Sequence, residues 1–118
     1  MKFLLVDDSK MMRSAQKKVL GELPGAEFAE AGDGVEALAV LAGQKFDLVL
    51  VDWNMPNMDG FTLVQRIRTT DKKTPLVMCT TEAEKSRVIE AIKAGVNNYV
   101  VKPFTPDTLK EKIESLLG

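Results

Sequence analysis

The sequence predicts an α/β domain in which a doubly wound, five-stranded parallel sheet is covered by helices on both faces. Short apolar runs bounded by turn residues alternate along the chain with stretches whose apolar residues recur three or four positions apart. The short runs are apolar at consecutive positions, which is typical of strands buried on both faces. Five such units fit within 118 residues, and parallel strands joined by crossover helices give this architecture.

The strand candidates are four strongly apolar runs and one weaker run, which we expect at the margin of the sheet. In chain order they are residues 3–6, the weaker 26–31, then 48–51, 76–79 and 99–101. The helix candidates are marked by five apolar sets: Met12, Ala15, Val19, Leu23; Leu38, Leu41, Ala42; Leu63, Val64, Ile67; Val88, Ala91, Ile92; and Leu109, Ile113, Leu116.

Capping residues stand where these helices should begin and end. Asp33 and Asp59 are expected N-caps, and Thr105 followed by Pro106 has the N-cap and N1 arrangement. The expected C-caps are Gly43, Gly95 and Gly118.

Length and composition predict one globular domain spanning residues 1–118. The chain is 45% hydrophobic and 28% charged with a net charge of -1, and no basic stripe alternates with aromatics. This argues against nucleic acid or membrane partners and favours protein partners. The single Cys79 cannot form an internal disulfide, and the N-terminus lacks a signal-length apolar segment, so we expect a cytoplasmic protein.

Polar residues follow four of the five predicted strands. Asp7 and Asp8 follow the first, Asp52 the third, Thr80 the fourth and Lys102 the fifth. Ligands of such sheets bind outside the carboxyl ends of the strands, so these side chains should converge at one edge.

Such a cluster would need cations. Carboxylates about 5 Å apart repel by about 3 kcal/mol per pair at an effective dielectric of about 20. Lys102 supplies one charge, and the chain contains no histidine, so the oxygen-rich set favours Mg²⁺ over zinc. Magnesium sites of this kind commonly act on phosphate, with a carboxylate available as nucleophile, and Asp52, alone on its strand, is the natural candidate.

Four motifs resemble the receiver domain of two-component response regulators, and more narrowly that of the chemotaxis response regulators. They are VDD at 6–8, VDWNMPNMDG at 51–60, CTTEAE at 79–84 and NYVVKPFT at 98–105. The resemblance covers essentially the whole chain. It implies a flavodoxin-like sheet of order 2-1-3-4-5 and a phosphoacceptor signalling protein that is not a conventional enzyme.

By this resemblance, Asp52 accepts the phosphoryl group, and Asp7, Asp8, Asp52 and the backbone carbonyl of Asn54 hold Mg²⁺. Lys102 would pair with the phosphoryl group.

Further roles are implied by the same resemblance. The hydroxyl of Thr80 would move onto a phosphoryl oxygen and vacate space into which Tyr99 swings. Asn54 and Glu82 would tune the rate of dephosphorylation, and the Lys102–Pro103 bond would be cis.

The implied partners are a sensor histidine kinase, a flagellar motor switch protein and a phosphatase that removes the phosphoryl group, with the chain itself a monomer. The expected output face carries the fourth helix, fifth strand and fifth helix, around Ala83, Lys85, Arg87, Tyr99, Val101 and Lys112.

Alternatives remain at this point. Taken singly, Asp7, Asp8 and Asp52 could be helix or turn caps, Lys102 a surface lysine and Tyr99 a core residue. A receiver could also serve as a phosphate sink or dock only on its kinase. Haloacid-dehalogenase-like phosphatases share a strand-end aspartate and magnesium, but they place a general acid where this chain has Asn54, which cannot donate a carboxyl proton.

Overall fold

The computed structural model describes residues 1–81 and 86–117 and shows strands and helices in strict alternation. In chain order they are β1 (Lys2–Val6), α1 (Lys10–Leu20), β2 (Glu27–Ala31), α2 (Gly34–Gly43), β3 (Leu48–Asp52), α3 (Gly60–Arg68), β4 (Leu76–Thr81), α4 (Val88–Ala94), β5 (Asn98–Lys102) and α5 (Pro106–Leu117).

All neighbouring strands pair in parallel, and their order is β2-β1-β3-β4-β5. The predicted fold class and strand order are therefore confirmed, and β2 lies at the edge as expected. This order places β1 and β3 side by side at the point where the chain reverses its winding direction. The loops that follow these two strands therefore open into the crevice where ligands of such sheets bind.

Three strands extend further than the apolar runs predicted. Asp52, Thr80 and Lys102 lie inside β3, β4 and β5 instead of after them, and Asp52 pairs with Cys79 in register. The ladder depends on backbone groups, so it continues through a polar residue where the side-chain pattern stops. The three polar side chains therefore project from hydrogen-bonded strand backbone, which fixes their direction better than a loop would.

The sheet separates two hydrophobic cores, because successive strand residues point to opposite faces. Leu4 and Val6 join one core, which is covered by α2, α3 and α4, whereas Phe3 and Leu5 join the other, which is covered by α1 and α5. The strands are thus buried on both faces, as their continuous apolar runs predicted.

The predicted caps of the helix starts are confirmed. The side chains of Asp33, Asp59 and Thr105 accept hydrogen bonds from the backbone N–H three residues on, at 2.8, 2.8 and 3.1 Å. Gly95 ends α4 with φ of 119°, a left-handed conformation that favours glycine. The caps fix where α2, α3 and α5 leave the carboxyl edge of the sheet.

Two predicted helix ends were wrong. Gly43 is the last residue of α2 and Gln44 is its C-cap, in extended conformation. Leu23 lies beyond α1, which ends at Leu20, but it stays buried in the second core from the following turn. The apolar spacing continues past the end of the helix because it reflects which residues are buried, and a buried residue need not be helical. The expected cap Gly118 lies outside the described residues.

Within the described part of the chain, no helix is both long and apolar enough to cross a bilayer.

Candidate functional site

The structure brings the polar strand-end residues together at the carboxyl edge of the sheet. Carboxylate oxygens of Asp7, Asp8 and Asp52 all lie within 4.8 Å of one another. The Lys102 Nζ donates to Asp52 Oδ1 at 2.6 Å and to Asp7 Oδ2 at 3.2 Å. Residues that directly follow β1 therefore form one cluster with residues of β3 and β5, although they are separated by up to 95 positions in the chain.

Burial and charge compete at Asp52. The residue is 8% exposed, and burial raises its pKa to about 6 against the lowering effect of the Lys102 hydrogen bond. The charges of Asp7 and Asp8 raise it further. For Lys102, burial lowers the pKa, but the hydrogen bond and charge of Asp52 outweigh that effect and raise it. The lysine therefore stays cationic and leaves the cluster with unbalanced negative charge.

The donor set fits a hard divalent cation. Asp7 is 1% exposed and Asp8 is exposed, so one side of the cluster opens to water that could complete a coordination sphere. The single cysteine, Cys79, is fully buried, and burial raises the pKa of its thiol to about 12, which makes it a poor metal ligand. Three oxygen donors, without thiolate or imidazole, match magnesium-type coordination.

Thr80 contributes a polar atom that lacks a partner among the described residues. The residue is fully buried on β4, and no hydrogen-bond partner for its Oγ1 is found in residues 1–81 and 86–117. A buried hydroxyl normally has a partner, so this one has spare capacity to donate. Thr80 pairs in register with Val101, two residues after Tyr99 on the adjacent strand.

Tyr99 is half-buried against the core that α2, α3 and α4 cover. The Lys112 Nζ lies 4.6 Å from the centre of its ring, so the ring connects β5 to α5. The ring therefore has one side in the core and one side at the surface.

The chain is tightly packed where it leaves β3 after Asp52. Trp53 is 1% exposed and its ring stacks on Phe61 at 5.8 Å between centroids. A Cβ at Gly60 would lie 2.3 Å from the Asp52 carbonyl oxygen, so only glycine permits this close approach. Asn54 is exposed two residues beyond Asp52.

The segments that follow β4 and β5 were also expected to contribute to the site and to the output face. The Lys102–Pro103 bond is cis in the structure, as the resemblance implied. Glu82, Ala83 and Lys85 lie outside the described residues, so the structure describes neither the tuning position Glu82 nor that part of the output face.

Sequence reasoning missed Arg13, which supports from α1 the loop that carries Asp7 and Asp8. Its guanidinium donates to the backbone carbonyl of Asp7 through Nη1 and to Glu30 Oε1 through Nε, the latter at 2.9 Å. The backbone N–H of Ser9 donates to Asp7 Oδ1 at 2.8 Å. The loop that carries Asp7 is thus held from both its carbonyl and its carboxylate. An arginine in the first turn of a helix gave no sequence signal of this contact.

Arg13→Met is therefore expected to weaken divalent cation binding about tenfold, because outer contacts that orient ligands typically have effects of this size. The change should be read from a Mg²⁺ titration of Trp53 fluorescence. Lys17→Met is the matched control, since Lys17 also pairs with Glu30, at 3.0 Å, and within the described part of the chain no hydrogen bond or ion pair joins Lys17 to Asp7. Equal affinities in the two variants would contradict the role given to Arg13.

The fold and the site together define the class of protein. The family model of the response regulator receiver domain matches residues 3–114, and the chain belongs to this family. The match leaves no support for the dehalogenase-like alternative.

Individual relatives are similar over nearly their full length. The chain is 50% identical to chemotaxis protein CheY1 of Helicobacter pylori, covering 100% of this chain and 98% of the relative. It is 48% identical to chemotaxis protein CheY of Pseudomonas aeruginosa, covering 98% and 95%. The structure of the chemotaxis response regulator CheY4 of Vibrio cholerae superimposes with a TM-score of 0.89 at 38% identity, covering 98% of this chain and 97% of that one.

Proposed function

We propose that residues 1–118 form a single receiver domain that accepts a phosphoryl group on Asp52 from a sensor histidine kinase and then changes its affinity for a protein target. The observation that carries this proposal is the Lys102 ammonium bridging Asp52 and Asp7, with Asp8 beside them. A strand-end carboxylate flanked by one fixed cation and two further acids is suited to covalent phosphoryl transfer.

Mg²⁺ would be held by the carboxylates of Asp7, Asp8 and Asp52 and by the backbone carbonyl of Asn54. When bound, the ion neutralises charge on the phosphoryl oxygens. A carboxylate oxygen of Asp52 attacks phosphorus, and the bond from phosphorus to the donor's histidine nitrogen breaks. Lys102, already 2.6 Å from Asp52, balances the negative charge that gathers on the transferred group.

Thr80 and Tyr99 would convert the modification into a signal. The unpartnered Thr80 hydroxyl supports this role, since it can donate to a phosphoryl oxygen without breaking a bond to any described residue. Its movement would leave space toward Tyr99, and a phosphoryl charge of about -1.5 to -2 stabilises only the state in which these contacts form. Asn54 and Glu82 would set the rate of water attack.

The relatives support a place in chemotaxis. Two relatives about half identical over nearly the full chain are named chemotaxis proteins. We therefore propose a monomeric cytoplasmic protein whose target is the flagellar motor switch, with a phosphatase ending the signal. The described residues of the output face are all at least partly exposed, and two of them, Tyr99 and Lys112, contact each other. These residues are Arg87, Tyr99, Val101 and Lys112.

The proposal is tested with Trp53, the only tryptophan, which directly follows Asp52. Mg²⁺ followed by acetyl phosphate is expected to change its fluorescence in two steps. Asp52→Asn should remove the second step and keep the circular dichroism spectrum of the fold. A wild-type signal that ignores both additions would reject the proposed site.

The target is tested by binding to a peptide of a motor switch protein. The phosphorylated chain is expected to bind at least about tenfold more tightly than the unphosphorylated chain, corresponding to a coupling of about 1.4 kcal/mol. Equal affinities would instead favour a phosphate sink or a regulator that docks only on its kinase.

A further inference from the structure

A groove of about 740 Å³ lies between α2 and α3. It is at the amino-terminal ends of the strands, whereas Asp52 lies at their carboxyl ends. Its apolar residues include Leu38 and Leu41 from α2, Phe46 from the loop before β3 and Ile67 from α3. Phe46 and Ile67 are buried and form the floor, whereas Leu38 and Leu41 are half-buried and reach the surface. The groove is therefore apolar at its base and open to a partner.

Helix α2, which forms one wall, is unusually apolar for a helix at the surface. Its sequence GVEALAVLAG contains Glu36 as its single charged residue. Val35 is 56% exposed, and Ala39 and Ala42 also face solvent. A surface helix normally carries charged residues on its outer face. The outer face of α2 therefore has the character of a contact surface.

The rim of the groove is cationic, although the chain as a whole has a net charge of -1. Lys45, Arg66 and Lys73 line the groove and are exposed, and within residues 1–81 and 86–117 no ion pair to their side chains is found. The one acid of the lining, Asp71, accepts hydrogen bonds from the Thr74 N–H, the Thr74 hydroxyl and the Lys73 N–H. Its carboxylate is therefore engaged, and the three cations are free to meet an acidic partner.

We propose that this groove docks an acidic amphipathic helix of a partner protein. Apolar side chains of that helix would enter between Leu38, Leu41 and Ile67, and its flanking carboxylates would meet Lys45, Arg66 and Lys73. This interaction is separate from phosphoryl transfer, because the groove lies at the amino-terminal ends of the strands and Asp52 lies at the carboxyl end of β3. Helix-in-groove recognition combines such apolar anchors with peripheral charge pairs.

Other occupants fit the groove less well. A second copy of the chain placed symmetrically would bring the cationic rims of both grooves toward each other, which costs affinity. A small anion would need convergent buried donors, but the four cations of the lining, Lys45, Arg66, Lys72 and Lys73, are all exposed. An open groove with exposed charges around an apolar floor is better matched by a protein segment.

The test is a selection of random peptides of about 15 residues, about four helical turns, on the wild-type chain in EDTA. Binders that also recognise Lys45→Glu/Arg66→Glu are removed, and Lys10→Glu/Lys18→Glu is the control, because those lysines are exposed on α1 away from the groove. Enriched peptides are expected to be acidic, with apolar residues three or four apart. They should bind the groove variant at least tenfold more weakly than the control and shift the amide resonances of Leu41 and Ile67.

Three outcomes would overturn the proposal. The first is a selection that yields no groove-dependent peptide, or peptides no more acidic than the starting library. The second is tripolyphosphate binding wild type as tightly as the selected peptides and competing with them, which would make the groove a small-anion site. The third is a dimer in sedimentation experiments that Lys45→Glu/Arg66→Glu dissociates, which would assign the surface to self-association.

Discussion

Lys102→Met is expected to slow phosphorylation of Asp52 by acetyl phosphate by about 10²- to 10³-fold, the usual effect of removing one fixed donor to a developing charge. Methionine retains most of the apolar stem and removes the ammonium group that lies 2.6 Å from Asp52 and 3.2 Å from Asp7. The rate should be measured at saturating Mg²⁺, so that a change in metal affinity does not alter the measured rate.

The same substitution should strengthen Mg²⁺ binding by roughly 2- to 10-fold, because Lys102 competes with the ion for the same carboxylates, and relief of about 0.4–1.4 kcal/mol gives this range. Stronger Mg²⁺ binding together with slower phosphorylation would show that the variant has lost a charge, because a variant that had lost its structure would bind Mg²⁺ more weakly. Lys110→Met is the control, since Lys110 pairs with exposed Glu22 at 3.4 Å, far from the site. A variant that phosphorylates at the wild-type rate would show that Lys102 has no part in transfer.

Asp52→Asn is expected to stabilise the metal-free protein by about 2–3 kcal/mol above pH 6, since one pKa unit corresponds to about 1.4 kcal/mol. Burial raises the pKa of Asp52 from 3.8 to about 6. Between these values the folded protein binds more protons at this site than the unfolded chain does. Stability contributed by Asp52 is therefore complete below about pH 4 and is lost as pH rises toward 6.

The measurement is urea unfolding in EDTA at several pH values between 4 and 8, compared between wild type and Asp52→Asn. The gain from the substitution should grow between pH 4 and 6 and shrink when Mg²⁺ is added. Asp71→Asn is the opposite control, because hydrogen bonds from Thr74 lower the pKa of Asp71. That variant should lose stability at neutral pH. A gain for Asp52→Asn that is the same at pH 4 and pH 7 would contradict the electrostatic explanation.

Much of the fold could be predicted from the sequence because its signals are local. Continuous apolar runs recorded burial on both sheet faces, and Asp33 and Asp59 marked helix starts through contacts three residues away. The ends of strands were less certain, since Asp52 and Lys102 are polar but remain in the ladder. The polarity of a side chain shows whether it faces the core or a polar environment, whereas the extent of a strand depends on hydrogen bonds between backbone groups.

The site could be predicted only as a set of residues. Parallel strand ends meet at one edge, so Asp7, Asp52 and Lys102 were expected to converge. Their supports depend on pairings that no spacing reveals: Arg13 meets Glu30 across 17 positions, and its other contact is the Asp7 backbone. The α2–α3 groove is likewise formed by side chains distant in sequence, and the lack of charge in α2 was its single local sign.

The central claim is that Asp52 becomes phosphorylated in a reaction that needs a divalent cation. Its most direct test is intact-mass spectrometry after incubation with acetyl phosphate, with and without EDTA, followed by mapping of the modified peptide. The account predicts one added phosphoryl group on the peptide containing Asp52, only when Mg²⁺ is present, and none in Asp52→Asn. Modification at another residue, or equal modification in EDTA, would contradict it.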